Sequence, residues 1–220
     1  LKVLYCNNNN LTDLNLEKLT LLTGLYCYNN NLTSLNLENQ IDLTDLRCNE
    51  NNLTTLNLEK QTLLTVLNCS NSDLTILNLE KQTLLTDLIC SLNDLKVLSL
   101  EKQTLLKKLW CSYNDLTVLN LENQTLLTVL VCPGNNLTTL NLEKQTLLTE
   151  LRCQDNNLTA LNIKNGSSEN TIRLEGNPNL KYICADDDQL ERTQDLIEQA
   201  NLTDCVVNAY CSFSPGGEFY

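Results

Sequence analysis

LTDLRCNENNLTTLNLEKQTL, residues 43–63, runs directly into LTVLNCSNSDLTILNLEKQTL, residues 64–84. The two stretches share every Leu, the Cys and the closing LNLEKQTL, while Asp45 and Arg47 give way to Val66 and Asn68. A constant frame carrying variable positions marks a stacked repeat. The frame extends in both directions. Cys6, Cys27, Cys48, Cys69, Cys90, Cys111, Cys132 and Cys153 recur every 21 residues, and Leu4, Leu25, Leu46, Leu67, Leu88, Leu109, Leu130 and Leu151 stand two places before them. Period-2 alternation makes each such stretch a short strand with Leu and Cys pointing inward. A second alternating stretch, for example Leu56-Asn57-Leu58 or Leu140-Asn141-Leu142, completes the coil. One repeat is then one turn of a right-handed solenoid, mostly β, with two short strands per coil joined by short turns.

Three residues after each Cys stands Asn9, Asn30, Asn51, Asn93, Asn114, Asn135 or Asn156, with Ser72 the exception. A buried Asn after a strand can bond backbone groups of its own coil and the next, so this column is structural. Leu174 and Asn177 fall 21 residues after Cys153 and Asn156, which adds a ninth, degenerate coil. The solenoid is therefore assigned to residues 1–177, with eight regular repeats and one degenerate, a C-terminal cap to 178–211, and the start of a truncated downstream segment to 212–220. With Leu1 as first residue and a last stretch Glu218-Phe219-Tyr220 that reads as a new strand, the sequence is expected to be a fragment of a longer precursor.

Composition narrows the function. A formal charge of −12 over 220 residues repels phosphate backbones and anionic lipid surfaces, which argues against nucleic acid and membrane as partners. Every apolar run is broken well short of the roughly 20 residues that span a bilayer. The chain has no His and no nucleophile with a base beside it, and Asp45, Asp87 and Glu150 are scattered over separate coils, so no catalytic role is expected. No cofactor is expected either.

LxxLxCxxNxL resembles the leucine-rich-repeat signature with Cys in place of the third Leu. The 21-residue form with LNL in its second half is similar to the short IRREKO-type class, found largely in bacterial surface proteins. The segment from Asn177 to Asp187, with its Asn177-Pro178-Asn179-Leu180 and Tyr182-Ile183-Cys184, resembles the C-terminal cap of Bacteroidetes cell-surface repeat proteins, which commonly continue into a type IX secretion sorting domain. The resemblance implies a protein of the cell surface or a secreted one. In the cap, Asp186, Asp187 and Asp188 fit a helix N-cap and first turn, and Leu190, Leu196, Ile197 and Ala200 give an apolar face. With Cys205-Val206-Val207 as a second strand, the cap reads as a small β-α-β-like unit that closes the open end of the core.

Eleven Cys would suggest a disulfide scaffold, but position overrules that reading for eight of them. Inward-facing residues on successive parallel coils hold their Cβ atoms near the strand spacing of about 4.8 Å, outside the roughly 3.5–4.5 Å of a disulfide. A ladder of buried free thiols is expected, and no metal, since there is no His and no CxxC pair. Cys184, Cys205 and Cys211 lie outside the repeat; a Cys184 to Cys205 bridge is the first choice, with the third Cys left for the downstream segment.

Leucine-rich repeats resemble one another in presenting the outward positions of the first strand on a concave face. Here the position before each Cys reads Tyr5, Tyr26, Arg47, Asn68, Ile89, Trp110, Val131 and Arg152, and the position two after it reads Asn8, Asn29, Glu50, Asn71, Leu92, Tyr113, Gly134 and Asp155. Trp110, the single Trp, and Tyr113 fall beside Ile89, Leu92 and Val131 of neighbouring coils, next to Lys107 and Lys108. That composition is typical of an interface hot spot. Tyr5, Tyr26 and Tyr28 with Arg47 form a second aromatic group. Tyr and Trp are also ordinary strand-surface residues. The expected function is extracellular recognition of a host or neighbouring-cell protein by a monomer, as in adhesion or host-factor capture. A rigid spacer within a larger surface protein is the alternative; ice or carbohydrate binding is a minor one, the ice reading resting on the regular Thr column (Thr12, Thr33, Thr54, Thr75, Thr117), which Lys96 interrupts.

Overall fold

The computed structural model describes residues 1–210. The first strand of each coil is three residues long: β1 (Val3–Tyr5), β2 (Gly24–Tyr26), β3 (Asp45–Arg47), β4 (Val66–Asn68), β5 (Asp87–Ile89), β6 (Lys108–Trp110) and β7 (Val129–Val131). β8 (Thr139–Asn141) is the second strand of the seventh coil, and β9 (Glu150–Arg152), β10 (Ala160–Asn162) and β11 (Thr171–Arg173) follow. Strands β1 to β7, β9 and β11 form one parallel nine-stranded sheet in chain order. Its register keeps each Leu beside the Leu 21 residues on, from Leu4↔Leu25 through Leu130↔Leu151 to Leu151↔Ile172. The repeat period therefore fixes the sheet, because a slip of one residue would turn every inward Leu to solvent.

The interior is one continuous column. Leu25, Leu46, Leu67, Leu88, Leu109, Leu130 and Leu151 are fully buried, as are the Cys from Cys27 to Cys153. Each buried Leu contributes on the order of 1.5–3 kcal/mol. The Cys are free thiols, buried except for the half-buried Cys6 of the first coil. Burial in an apolar column disfavours the thiolate, so Cys69, Cys111 and Cys153 are pushed up to about 12, and Cys48, Cys90 and Cys132 well above the ordinary thiol value.

Two side-chain columns replace backbone ladders where the coils turn. Asn93 donates through Nδ2 to Cys69 O and Cys90 O, both at 3.1 Å, and accepts the Leu74 N–H at 3.0 Å; Asn51, Asn114, Asn135 and Asn156 repeat the pattern. The other column is Gln40, Gln61, Gln82, Gln103, Gln124 and Gln145, all buried. Each donates through Nε2 to the carbonyl of the Leu 24 residues earlier, as Gln103 does to Leu79 O at 2.7 Å. The Gln of each LEKQ stretch thus belongs to the interior, while its Glu and Lys stay exposed.

The second alternating stretch departs from the expectation of two strands per coil. It is a strand only from β8 onward; Leu56-Asn57-Leu58, for example, belongs to no strand. The Gln bridge explains the difference. Between earlier coils the amide spans the gap and the backbones stay apart. Between the seventh and eighth coils the Gln position is Gly166, no bridge is possible, and the backbones close on each other as the pair β8 and β10. That smaller sheet continues through β12 (Tyr182–Cys184) to β13 (Val206–Asn208), in the order β13-β12-β10-β8.

Between β12 and β13 lie a 3-10 turn at Asp187–Gln189 and helix α1 (Leu190–Gln199). Ile197 is buried, and Leu190, Leu196 and Ala200 pack partly buried against the core. Asp186 does not cap the helix. Its carboxylate accepts the N–H groups of Asn165 and Gly166, at 3.1 and 2.7 Å, and so ties the cap to the eighth coil.

The expected Cys184 to Cys205 bridge is corrected by this register. β12 and β13 are parallel, with Cys184 opposite Asn208, which places Cys205 three residues out of step. At about 3.3 Å per residue that is about 10 Å along the strand, beyond the reach of a disulfide. Cys205 is a buried free thiol, raised to about 11 chiefly by burial, while Cys184 is disulfide-bonded elsewhere. Cys211 and the expected strand at residues 218–220 lie outside the described residues.

Candidate recognition surface on the nine-stranded sheet

Side chains at the first and third positions of each strand face away from the core, and the register sets them in columns across the sheet. Ile89, Trp110 and Val131 are direct cross-strand neighbours. All three are half-buried, as expected for bulky residues packed edge to edge at strand spacing. Lys108 precedes Trp110 on the same face, about 6.6 Å along the strand. It makes a loose ion pair of 3.8 Å with Asp87, and its side chain is about half exposed.

The column two residues after each Cys has a property that the composition alone signals. Asn8, Asn29, Glu50, Asn71, Leu92, Tyr113, Gly134 and Asp155 all take positive φ, between 50° and 64°. Asn, Asp and Gly are the residues that tolerate this left-handed region, and they fill most of the column. Glu50, Leu92 and Tyr113 do not belong to that set, and of these Leu92 and Tyr113 are the large apolar or aromatic ones. A bulky side chain there costs on the order of 1–2 kcal/mol of backbone strain. Burial does not repay it, because Leu92 remains 49% exposed and Tyr113 54%.

The ring of Tyr113 has a prepared bed. A Cβ on Gly134 would stand 2.4 Å from Tyr113 Cδ1 and 2.7 Å from Cε1, so the ring lies flat across the one position in the column without a side chain. Gly134 thus orients Tyr113, a role that sequence reading did not assign to it. The central surface therefore joins Ile89, Leu92, Trp110, Tyr113 and Val131 into one apolar patch with Lys108 at its border.

At the N-terminal end, the rings of Tyr5 and Tyr26 stack at 4.6 Å with an interplanar angle of 16°. Arg47 lies 5.3 Å above the Tyr26 ring and is held by Asp45, which also accepts the Tyr26 hydroxyl at 2.8 Å. The Asp45 hydrogen bond raises the Tyr26 pKa and raises that of Arg47, fixing the charged guanidinium over a neutral phenol. Tyr28 is half-buried and within electrostatic reach of Arg47, outside the stack itself. This group is internally paired and separated from the central patch by the polar Asn68 coil, so the structure divides the aromatic candidates into two surfaces.

Among the described residues, no group of three or more His, Cys, Asp or Glu could hold a metal ion. No helix there is long and apolar enough to cross a membrane. The furrows on the opposite side of the solenoid, such as the one of about 290 Å³ beside Val97, Ser99 and Val118, are shallow gaps between coils that the Gln bridges hold apart.

No protein-family model and no curated protein sequence matches the chain. Solved structures do. The chain is similar to the functional domain of InlJ from Listeria monocytogenes, described as including a cysteine ladder, at 30% identity and a TM-score of 0.69 over 84% of this chain and 49% of that one. It is similar to YopM, a leucine-rich effector protein of Yersinia pestis, at 27% identity and a TM-score of 0.73 over 84% and 54%. A leucine-rich-repeat protein of Leptospira interrogans aligns at 24% identity and a TM-score of 0.73, over 94% and 60%, a likeness of fold alone. The chain spans about half to three-fifths of the length of these structures. In its 21-residue coils, its parallel sheet and its thiol column, the chain has the fold of a leucine-rich-repeat solenoid.

Proposed function

We propose that the chain is a protein-recognition module that binds through the central patch of its nine-stranded sheet. The observation that carries this reading is the pair Leu92 and Tyr113: two large residues held at positive φ, about half exposed, beside the single Trp. Strain combined with exposure does not stabilise the folded chain, whereas exposed Trp and Tyr side chains held in fixed positions among apolar neighbours are what an interface hot spot uses. The similarity to a Listeria protein and a Yersinia effector supports a bacterial module of this kind. Placement on the cell surface or in the medium, membership of the short 21-residue class with a Bacteroidetes-type cap, and a role in adhesion or host-factor capture by a monomer are parts of the same proposal. The Tyr5, Tyr26 and Arg47 group is the secondary candidate surface.

The test compares the immobilised chain with a Trp110→Ala/Tyr113→Ala variant as baits for serum and extracellular-matrix proteins. A protein retained by the parent and lost from the variant, at an unchanged melting temperature, supports the reading. Equal retention by both overturns it.

A further inference from the structure

The repeats of this chain serve as an internal standard for one another, and one departure from the common frame falls in the sixth coil, beside the central patch. The residue four before each Cys, just ahead of each first strand, is Lys2 in the first coil and then Thr in Thr23, Thr44, Thr65, Thr86, Thr128 and Thr149. Each of these hydroxyls donates to the carbonyl of the preceding coil, as Thr86 Oγ1 does to Thr65 O at 3.1 Å and Thr128 Oγ1 to Lys107 O at 3.0 Å. In the sixth coil the residue is Lys107, and that side-chain bond is given up. Lys107 is exposed and forms no ion pair among the described residues. Lys108 follows it, with only the 3.8 Å contact to Asp87. These two cations border the same coil that carries Trp110 and Tyr113.

Resting on the reading that the central patch binds protein, we infer that its partner presents a large apolar side chain with a carboxylate one or two residues away. The charge argument is local. The chain as a whole carries −12, yet the edge of its apolar patch is positive through two adjacent lysines, one unpaired and one loosely paired. A protein surface of that sign complements an acidic neighbour and repels a basic one. The spacing follows from the strand. Lys108 and Trp110 are two residues apart on one face, about 6.6 Å, which an extended partner segment spans in two residues. The apolar side chain of the partner settles against Trp110, Tyr113 and Leu92, and its carboxylate reaches Lys107 or Lys108.

The experiment selects a displayed library of random 12-residue peptides on the whole chain, with counter-selection on the Trp110→Ala/Tyr113→Ala variant. The peptides that survive are synthesised and titrated against the parent and against Lys107→Gln/Lys108→Gln, whose folding is checked by circular dichroism. The expected result is an excess of Asp or Glu within two residues of a large apolar residue. The Kd should rise about fivefold or more in the double-Gln variant. It should also rise in the parent as salt goes from about 50 to about 500 mM. Peptides that need Trp110 and Tyr113 but show no acidic excess and no loss against the double-Gln variant overturn the inference and leave the patch standing. Peptides that bind equally well without Trp110 and Tyr113 overturn both.

Discussion

Replacing Ser72 by Asn should stabilise the solenoid, and the size of the effect can be worked out from the neighbouring coils. In the next coil Asn93 supplies two donated bonds, to Cys69 O and Cys90 O, and one accepted bond, from Leu74 N. At Ser72 the hydroxyl is buried without a hydrogen-bond partner, and the Leu53 N–H meets no side-chain oxygen of the kind that every comparable Leu amide receives. Asn at this position restores three bonds worth about 0.5–1.5 kcal/mol each and removes a buried orphan. Ordering the longer side chain costs about 1 kcal/mol. The net gain is about 2 kcal/mol, which for a chain of this size raises the melting temperature by about 4–8 °C. Differential scanning calorimetry of the parent and Ser72→Asn under reducing conditions measures it. An unchanged or lowered midpoint would refute the claim that the Asn column holds adjacent coils together.

Other consequences follow from the same geometry. Gly134→Ala places a methyl group inside the Tyr113 ring contact and a Cβ at φ +64°, so it should cost about 1–2 kcal/mol and displace Tyr113. A melt that is unaltered and a Tyr113 ring still in place by NMR would show that the bed is not needed. The thiol column makes the fold sensitive to alkali. Folded-state values raised to about 12 at Cys69, Cys111 and Cys153 mean that the unfolded chain loses these protons first. Stability is therefore fully present below about pH 9 and falls as pH rises towards about 12, by about 1.4 kcal/mol per pH unit for each buried thiol. Denaturant titrations at a series of pH values should show this slope, and a Cys111→Ala variant should show a shallower one. A flat profile between pH 9 and 11 would contradict burial of the ladder.

Much of the architecture was legible because the repeat period is exact. Twenty-one residues between Cys48 and Cys69 fix the register of β3 on β4 without reference to anything distant in the chain. The Gln column was hidden for the opposite reason. Gln82 sits beside Glu80 and Lys81 in a stretch that reads as solvated, and its burial follows from a bond to Leu58 O in the previous coil, which no local pattern reveals. The left-handed column is marked in the sequence by Asn8, Asn29, Asn71, Gly134 and Asp155, but Glu50, Leu92 and Tyr113 break that pattern, so the positive φ at Leu92 and Tyr113 becomes visible only in the backbone. The cap disulfide failed on register: the order of strands around α1 was foreseen, but sequence gives no sign that parallel pairing sets Cys184 against Asn208 instead of Cys205. Trp110 and Tyr113 could be named from their columns, whereas the Gly134 bed under Tyr113 needed coordinates.

Trp110 is the single Trp of the chain, so its fluorescence reports on the proposed surface without labelling. Titration with a captured partner should shift the emission to shorter wavelength and protect the indole from acrylamide quenching, with a midpoint equal to the Kd measured independently. Saturating partner that leaves both the emission and the quenching of Trp110 unchanged would place the binding surface elsewhere.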